Sequence, residues 1–376
     1  MENRKIRVGI THGDTNSVGY ELIFKTFSEP ALLDLCTPIV YGSPKIATYH
    51  RKVLGIEANF TIIRNAEEAH SGRLNILTTI EEDVKMDMGM PTKESGDAAI
   101  RALDRAMKDY QEGLFDVLVT TPMTLDKIKD EGYPFNSQVD YITKYVDTTN
   151  KPLKIITNRG LRIAFATDKM PISEVSGAIS QELISDKLTV FAETLKRDFR
   201  ISQPRIAVLA LNPKSSENGK NGKEEEEIIK PAIDKVNEAR PIVFGPFAAD
   251  EFFTCRQYEA FDGILAMYYD QASAPFKLIA SEDGVCLTAG MPIVHTYSSH
   301  DVDFAAAGKG TVDESSFRDA IYLAIDVARN RVSYDKPFAN PLKKLYHEKR
   351  DDSEKVRFQI KENKEPKKQE NAEKEQ

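Results

Sequence analysis

Cysteine is scarce in this 376-residue chain: Cys36, Cys255 and Cys286 are odd in number and far apart. Neither a disulfide framework nor a zinc knuckle can be built from them. Long hydrophobic runs are missing too. No stretch approaches the ~20 apolar residues of a membrane span, and the opening MENRKIRVGI runs into a strand-like segment instead of a signal sequence. A cytoplasmic location is therefore expected. There is no surplus of positive charge: Lys+Arg 51 against Asp+Glu 59 gives a net charge of -8, which argues against a nucleic-acid surface working through bulk charge. The six histidines (His12, His50, His70, His295, His300 and His347) show no metal-ligand spacing such as His-x-x-x-His. No G-x-G-x-x-G fingerprint occurs, and no P-loop. Gly and Lys do meet at 218–223 and 308–310, but Lys223 is followed by Glu224 and Lys309 by Gly310, where a phosphate loop needs Ser or Thr.

What is present reads as a globular α/β protein. Hydrophobic residues make up 41% and charged residues 29% of the chain, and the length suits two domains at ~150 residues each. Short β-branched runs at 6–11, 38–41, 74–79, 117–121, 161–167, 206–212, 241–244, 263–268 and 285–288 alternate with longer amphipathic stretches. That alternation predicts a mostly parallel sheet covered by helices. Helices are predicted over 96–112, 182–199 and 315–331. Their apolar residues recur at three- and four-residue spacing: Ile100, Leu103, Met107 and Tyr110 in the first, Leu183, Leu188, Phe191 and Leu195 in the second, Phe317, Ile321, Ala324 and Ala328 in the third. Glycine-bearing polar segments at 12–19, 122–140 and 213–222 follow strands, and in open α/β sheets ligands gather at such strand ends. Residues 348–376 hold nine acidic and nine basic side chains and few apolar ones, which predicts a solvated, disordered tail.

Several segments occur in one order: ITHGDTNSVGYE (10–21), TTP (120–122), FNSQVDY (135–141), ATDKMPISEV (166–175), LNPKSSENGKNGKEEE (211–226), GPFAAD (245–250), ILAMYYDQASAPFK (264–277) and AGKGT (307–311). Together they resemble the 4-hydroxythreonine-4-phosphate dehydrogenase family, PdxA, of pyridoxal-phosphate biosynthesis, over roughly residues 5–345. The resemblance implies an isocitrate/isopropylmalate-dehydrogenase-like fold of two α/β/α domains with a cleft between them. On that basis residues 1–130 plus 266–345 form a discontinuous outer domain, 131–265 a central domain and 346–376 the charged tail. It also implies a homodimer that uses NAD and a divalent metal (zinc or magnesium) to oxidise a phosphorylated hydroxythreonine, with loss of CO2.

The departures from the family pattern carry the functional expectation. Where the resemblance implies three metal-binding histidines, this chain has Lys169, Lys214 and Tyr269. Protonated lysine offers no lone pair to a cation, so a divalent metal is expected to be absent there. The family segment G-H-T-E, whose His and Thr contact substrate, reads Ser137, Gln138, Val139 and Asp140, so that Gln138 and Val139 take the contact positions, with Cys286 for an Asn, His295 for a phosphate-contacting Arg, and Lys277 retained. A further run becomes Ser299, His300, Asp301, Val302 and Asp303. Exchanging Arg for His trades a permanent bidentate clamp for a group only partly charged at pH 7. The expectation is a PdxA-like homodimer, inactive or strongly impaired on the family substrate, binding a small phosphorylated or hydroxy-acid ligand, with no nucleic-acid or membrane partner. The alternative is an active NAD-dependent, metal-independent dehydrogenase for a different hydroxy acid, with Lys169, Lys214, Tyr269 and Asp270 as candidate catalytic groups.

Overall fold

The computed structural model describes residues 4–80, 85–124, 135, 137–148, 150–238, 240–280, 284–299 and 302–339. Among them, twelve strands form one sheet: β1 (Ile6–Thr11), β2 (Cys36–Gly42), β3 (Phe60–Ile63), β4 (Leu74–Thr78), β5 (Val117–Thr120), β6 (Leu153–Asn158), β7 (Leu161–Phe165), β8 (Ile206–Leu209), β9 (Val243–Phe247), β10 (Gly263–Ala266), β11 (Val285–Ala289) and β12 (Val294–Ser298). Their order across the sheet is β3-β4-β2-β1-β5-β12-β11-β6-β7-β10-β8-β9. Strands such as β2, β5 and β11 are buried along their whole length, as expected when helices cover both faces. The α/β expectation therefore holds. By contacts, Met1–Lys336 form one unit and Pro337–Gln376 a second. Beyond Ala339 the second unit, with the tail predicted from sequence, lies outside the described residues.

Three strands were not anticipated: β3, β6 and β12. Two of them change the topology. β11 pairs antiparallel with both β12 and β6, and β6 pairs antiparallel with β7, while the other neighbours are parallel. The sheet is thus mixed at its centre. The β6–β7 hairpin is closed by Arg159 (φ 43°) and Gly160 (φ 102°) between the paired Asn158 and Leu161, and two consecutive positive φ values match the twist of such two-residue loops. As a result β7, β10, β8 and β9 run opposite to β1, β2, β5 and β12. Their carboxyl ends emerge at the edge where β6 begins.

The predicted helices form with their apolar faces inward. Lys93–Gln111 buries Leu103 and Met107 on a bed of Ala98, Ala99, Ala102 and Ala106. Gln181–Arg197 buries Leu188, Phe191 and Leu195, and Ser315–Ala339 buries Phe317, Ile321, Ala324 and Ala328. Separate apolar clusters line the two groups of strands. No helix among the described residues is long and apolar enough to cross a membrane.

One buried ion pair ties the last helix to the rest. Arg331 donates through Nε and Nη2 to Asp198 at 2.7 and 2.8 Å, and through Nη1 to the carbonyls of Met291 and Pro292 at 3.1 and 2.9 Å. Asp198 ends the Gln181–Arg197 helix, and Asn330 donates to its carbonyl. The fork geometry satisfies both charges. Removing one partner strands the other in a dry site, so Arg331→Met should lower the free energy of urea unfolding by about 3–5 kcal/mol, and adding Asp198→Leu should restore much of the loss. A single variant as stable as the parent would show that the pair does not carry this weight.

Candidate functional site

The glycine-bearing loop after β1 is built as scaffold. Gly13 adopts φ +68°, and a Cβ there would stand 2.2 Å from the carbonyl oxygen of Pro122. Asp14 accepts from the backbone of Asn16 at 2.9 Å and from Ser95 Oγ at 3.0 Å, and burial raises its carboxyl pKa above the ordinary value. Thr92 and Ser95 cap the Lys93–Gln111 helix reciprocally, so this loop is bolted to a helix start. Glu21 accepts from the backbone N–H of Val312 at 3.1 Å and pairs with Lys25 at 2.9 Å, while Lys25 donates to the carbonyls of Gly310 and Val312. The ITHGDTNSVGYE and AGKGT segments therefore hold each other in place.

The chemistry-bearing residues lie at the opposite edge. Lys169 follows β7, Tyr269 follows β10, Lys214 follows β8, and Asp250 and Glu251 follow β9. Two of the three positions in question meet: Lys169 Nζ lies 5.5 Å from the Tyr269 ring centroid, within cation–π reach. A third group, not singled out from the sequence, joins them. Lys154 Nζ lies 4.9 Å from the same centroid. Only the antiparallel placement of β6 could have revealed it.

Lys214 is engaged elsewhere. Its ammonium donates to Asp250 at 2.8 Å and to Glu251 at 3.0 Å, and these bonds push its pKa well above the ordinary lysine value. It is a salt-bridged cation on the surface. The backbone here is unusual: Lys214, Ser215, Ser216, Glu217 and Asn218 all have positive φ, from 48° to 62°. Left-handed conformation costs about 1–2 kcal/mol for each such residue. The turn is held by Asn212, which donates through its backbone N–H to Glu225 and through Nδ2 to Glu224 and Glu225. The acidic run that follows begins a helical segment at Glu225–Ile229. Gln271 staples the neighbouring strand ends, donating to the Ala210 carbonyl and accepting from the Met267 N–H. Asp270 is exposed in the first turn of the Tyr269–Ala280 helix.

Of the positions given to substrate contacts, Cys286 packs in the same cluster as Tyr269, and His295 bonds Thr288, the register partner of Lys154, whereas the others stand on separate elements. Gln138 is part-buried and donates to the Thr121 carbonyl at 3.3 Å. Val139 and Asp140 stand in the short helix Gln138–Thr143, capped by Ser137. Lys277 is exposed. Cys286 is 2% exposed, and burial pushes its thiol up to about 11. His295 is 1% exposed, with Nε2 3.0 Å from Thr120 Oγ1 and Nδ1 2.9 Å from Thr288 Oγ1. Burial lowers its pKa to about 3. The partly charged imidazole expected from sequence is therefore corrected: this ring is neutral and enclosed by two hydroxyls. Asp303 accepts from the Ala306 N–H, whereas His300 and Asp301 lie outside the described residues.

A mixed α/β sheet with this arrangement is the architecture of a class of dehydrogenases. The crystal structure of 4-hydroxythreonine-4-phosphate dehydrogenase from Klebsiella pneumoniae matches with a TM-score of 0.75 and 26% identity, over 87% of this chain and 99% of that one. Residues 34–324 match the family model described as pyridoxal phosphate biosynthetic protein PdxA. A 4-hydroxythreonine-4-phosphate dehydrogenase of Bacteroides thetaiotaomicron is 49% identical over 358 residues, 95% of this chain and 98% of its own. A relative from Oceanobacillus iheyensis, 31% identical over 87% of this chain and 99% of its own, is provisionally named a D-threonate 4-phosphate dehydrogenase. The chain belongs to the PdxA family.

The buried imidazoles make stability pH-dependent. Burial holds His12 near 4 and His295 near 3, against about 6.5 for an unfolded histidine. Because the folded-state values are depressed, the stabilisation is complete above about pH 6.5 and is lost as the pH falls toward 4 and 3. Between pH 7.5 and pH 5 each ring should cost the protein about 2 kcal/mol. His295→Gln should remove about 2 kcal/mol of that drop in urea unfolding at the two pH values. An unchanged drop would mean that His295 takes up its proton in the folded chain.

Proposed function

We propose that this PdxA-family chain is inactive, or strongly impaired, in the metal-assisted oxidation of 4-hydroxythreonine-4-phosphate. One observation carries the reading. At the three positions that the family resemblance gives to metal-binding histidines stand two ammonium groups and a phenol, and one of the ammonium groups is locked into an ion pair with Asp250 and Glu251. A divalent cation needs lone-pair donors, and protonated lysine has none. The donor set does not fit the metal. Among the described residues no other group of three or more His, Cys, Asp and Glu side chains could hold one. A second feature points the same way. A neutral His295 between Thr120 and Thr288 cannot replace a guanidinium as a phosphate clamp. Lewis-acid assistance is worth several kcal/mol, and each ~1.4 kcal/mol is tenfold in rate. The reading includes a homodimer, NAD as the family cofactor, a small phosphorylated or hydroxy-acid ligand and a cytoplasmic location.

The contact of Tyr269 with Lys154 and Lys169 favours a second reading. In it the chain is an NAD-dependent dehydrogenase of a different hydroxy acid, with lysine ammonium groups supplying the positive charge and Tyr269 the group that moves a proton. The provisional name of the Oceanobacillus iheyensis relative is compatible with a family that accepts more than one hydroxy acid.

Purified protein assayed for NADH formation with NAD, a divalent metal and 4-hydroxythreonine-4-phosphate should turn over at least about a thousandfold more slowly than a histidine-bearing relative. Turnover comparable to the relative and abolished by chelator would refute the proposal. Thermal stabilisation by NAD together with one non-phosphorylated hydroxy acid would select the second reading.

A further inference from the structure

Two lysines at one aromatic ring, neither of them paired, ask for an anion. Lys154 is half-buried near the start of β6, opposite Thr288 of β11 in the register. Lys169 is exposed at the end of the loop after β7. Their Nζ atoms lie 4.9 and 5.5 Å from the centroid of Tyr269. Among the described residues neither has a carboxylate within ion-pair distance, in contrast to Lys214 with Asp250 and Glu251. The nearest acid in sequence, Asp168, accepts from the backbone N–H of Lys169 at 2.9 Å. A half-buried ammonium without a counter-ion loses hydration and side-chain freedom and gains no partner. A second ammonium at the same ring adds repulsion. A bound anion would relieve both costs. The Tyr269–Ala280 helix begins at the same place and turns the positive end of its dipole toward it.

We infer that Lys154 and Lys169 form a receiving site for the carboxylate of a small hydroxy acid, seated against the Tyr269 ring. This deepens the reading that the pocket has given up its cation, and it names the ligand class: a small hydroxycarboxylate. Carboxylate is favoured over phosphate on one ground, the absence of the guanidinium clamp that the family resemblance gives to phosphate. The position where the resemblance implies a phosphate-binding arginine is a neutral, enclosed imidazole.

The test is thermal shift of the full chain with tartrate, inorganic phosphate and chloride at matched ionic strength. Tartrate should raise the melting temperature in a saturable way, with an apparent Kd at least about tenfold weaker in Lys154→Met and in Lys169→Met. Lys154→Arg should keep most of the affinity, and Lys52→Met, exposed on the Pro44–Leu54 helix, should leave it unchanged. In the parent protein tartrate should also protect Lys154 and Lys169 from acetylation by acetic anhydride, read by peptide mass spectrometry, which needs no variant to fold. Three outcomes overturn the inference: no shift with tartrate, a shift that Lys154→Met leaves intact, or phosphate binding as tightly as tartrate. Chelator-sensitive turnover of 4-hydroxythreonine-4-phosphate with tartrate protection intact would instead sink the functional reading and spare this site.

Discussion

Three antiparallel joints in the middle of the sheet decide where every reactive group of the second half comes to rest. Had those three joints been parallel, the carboxyl ends of β7, β10 and β8 would emerge on the side of the β1 loop. Because the direction reverses, those ends share an edge with the beginning of β6. Lys154, an unremarkable strand residue in sequence, is thereby delivered to Tyr269. The glycine-bearing loop after β1, richer in apparent signal, is left with structural duties among Asp14, Ser95, Glu21 and Val312.

Charge accounting distinguishes the lysines. Lys214 is neutralised twice over by Asp250 and Glu251, so it adds no net field to the edge. Among the described residues Lys154 and Lys169 make no ion pair, and the single carboxylate of Asp168 close by offsets only part of their charge. A site with free positive charge attracts anions and repels cations, the opposite of what three imidazoles would do. Burial at His295 works against phosphate in particular, because it removes a positive charge that a phosphate would have needed.

Much of the fold was legible. Runs such as 6–11 and 117–121, and the helical spacing of Phe317, Ile321, Ala324 and Ala328, became elements because their apolar residues had somewhere to be buried. The misses have physical causes. β12 reads VHTYS and is polar in sequence, yet its His295 and Thr296 are satisfied by Thr120, Thr288 and the Ala320 carbonyl, partners that only tertiary structure supplies. β6 carries a lysine within it, which hides its strand character. Of the candidate site, Lys169 and Tyr269 meet, a contact their separate motifs do not show. Lys214 instead pairs with Asp250 and Glu251, which belong to a different motif. No sequence motif announces five successive left-handed residues that are not glycine.

That left-handed turn bears on what a substitution at position 214 would meet. Its shape is maintained by Asn212, Glu224 and Glu225, residues outside the triplet that differs from the family pattern. Putting an imidazole back at position 214 would present it toward Asp250 and Glu251, in solvent, instead of beside the Tyr269 ring. A change of side chain at 214 alone therefore leaves that position facing two carboxylates.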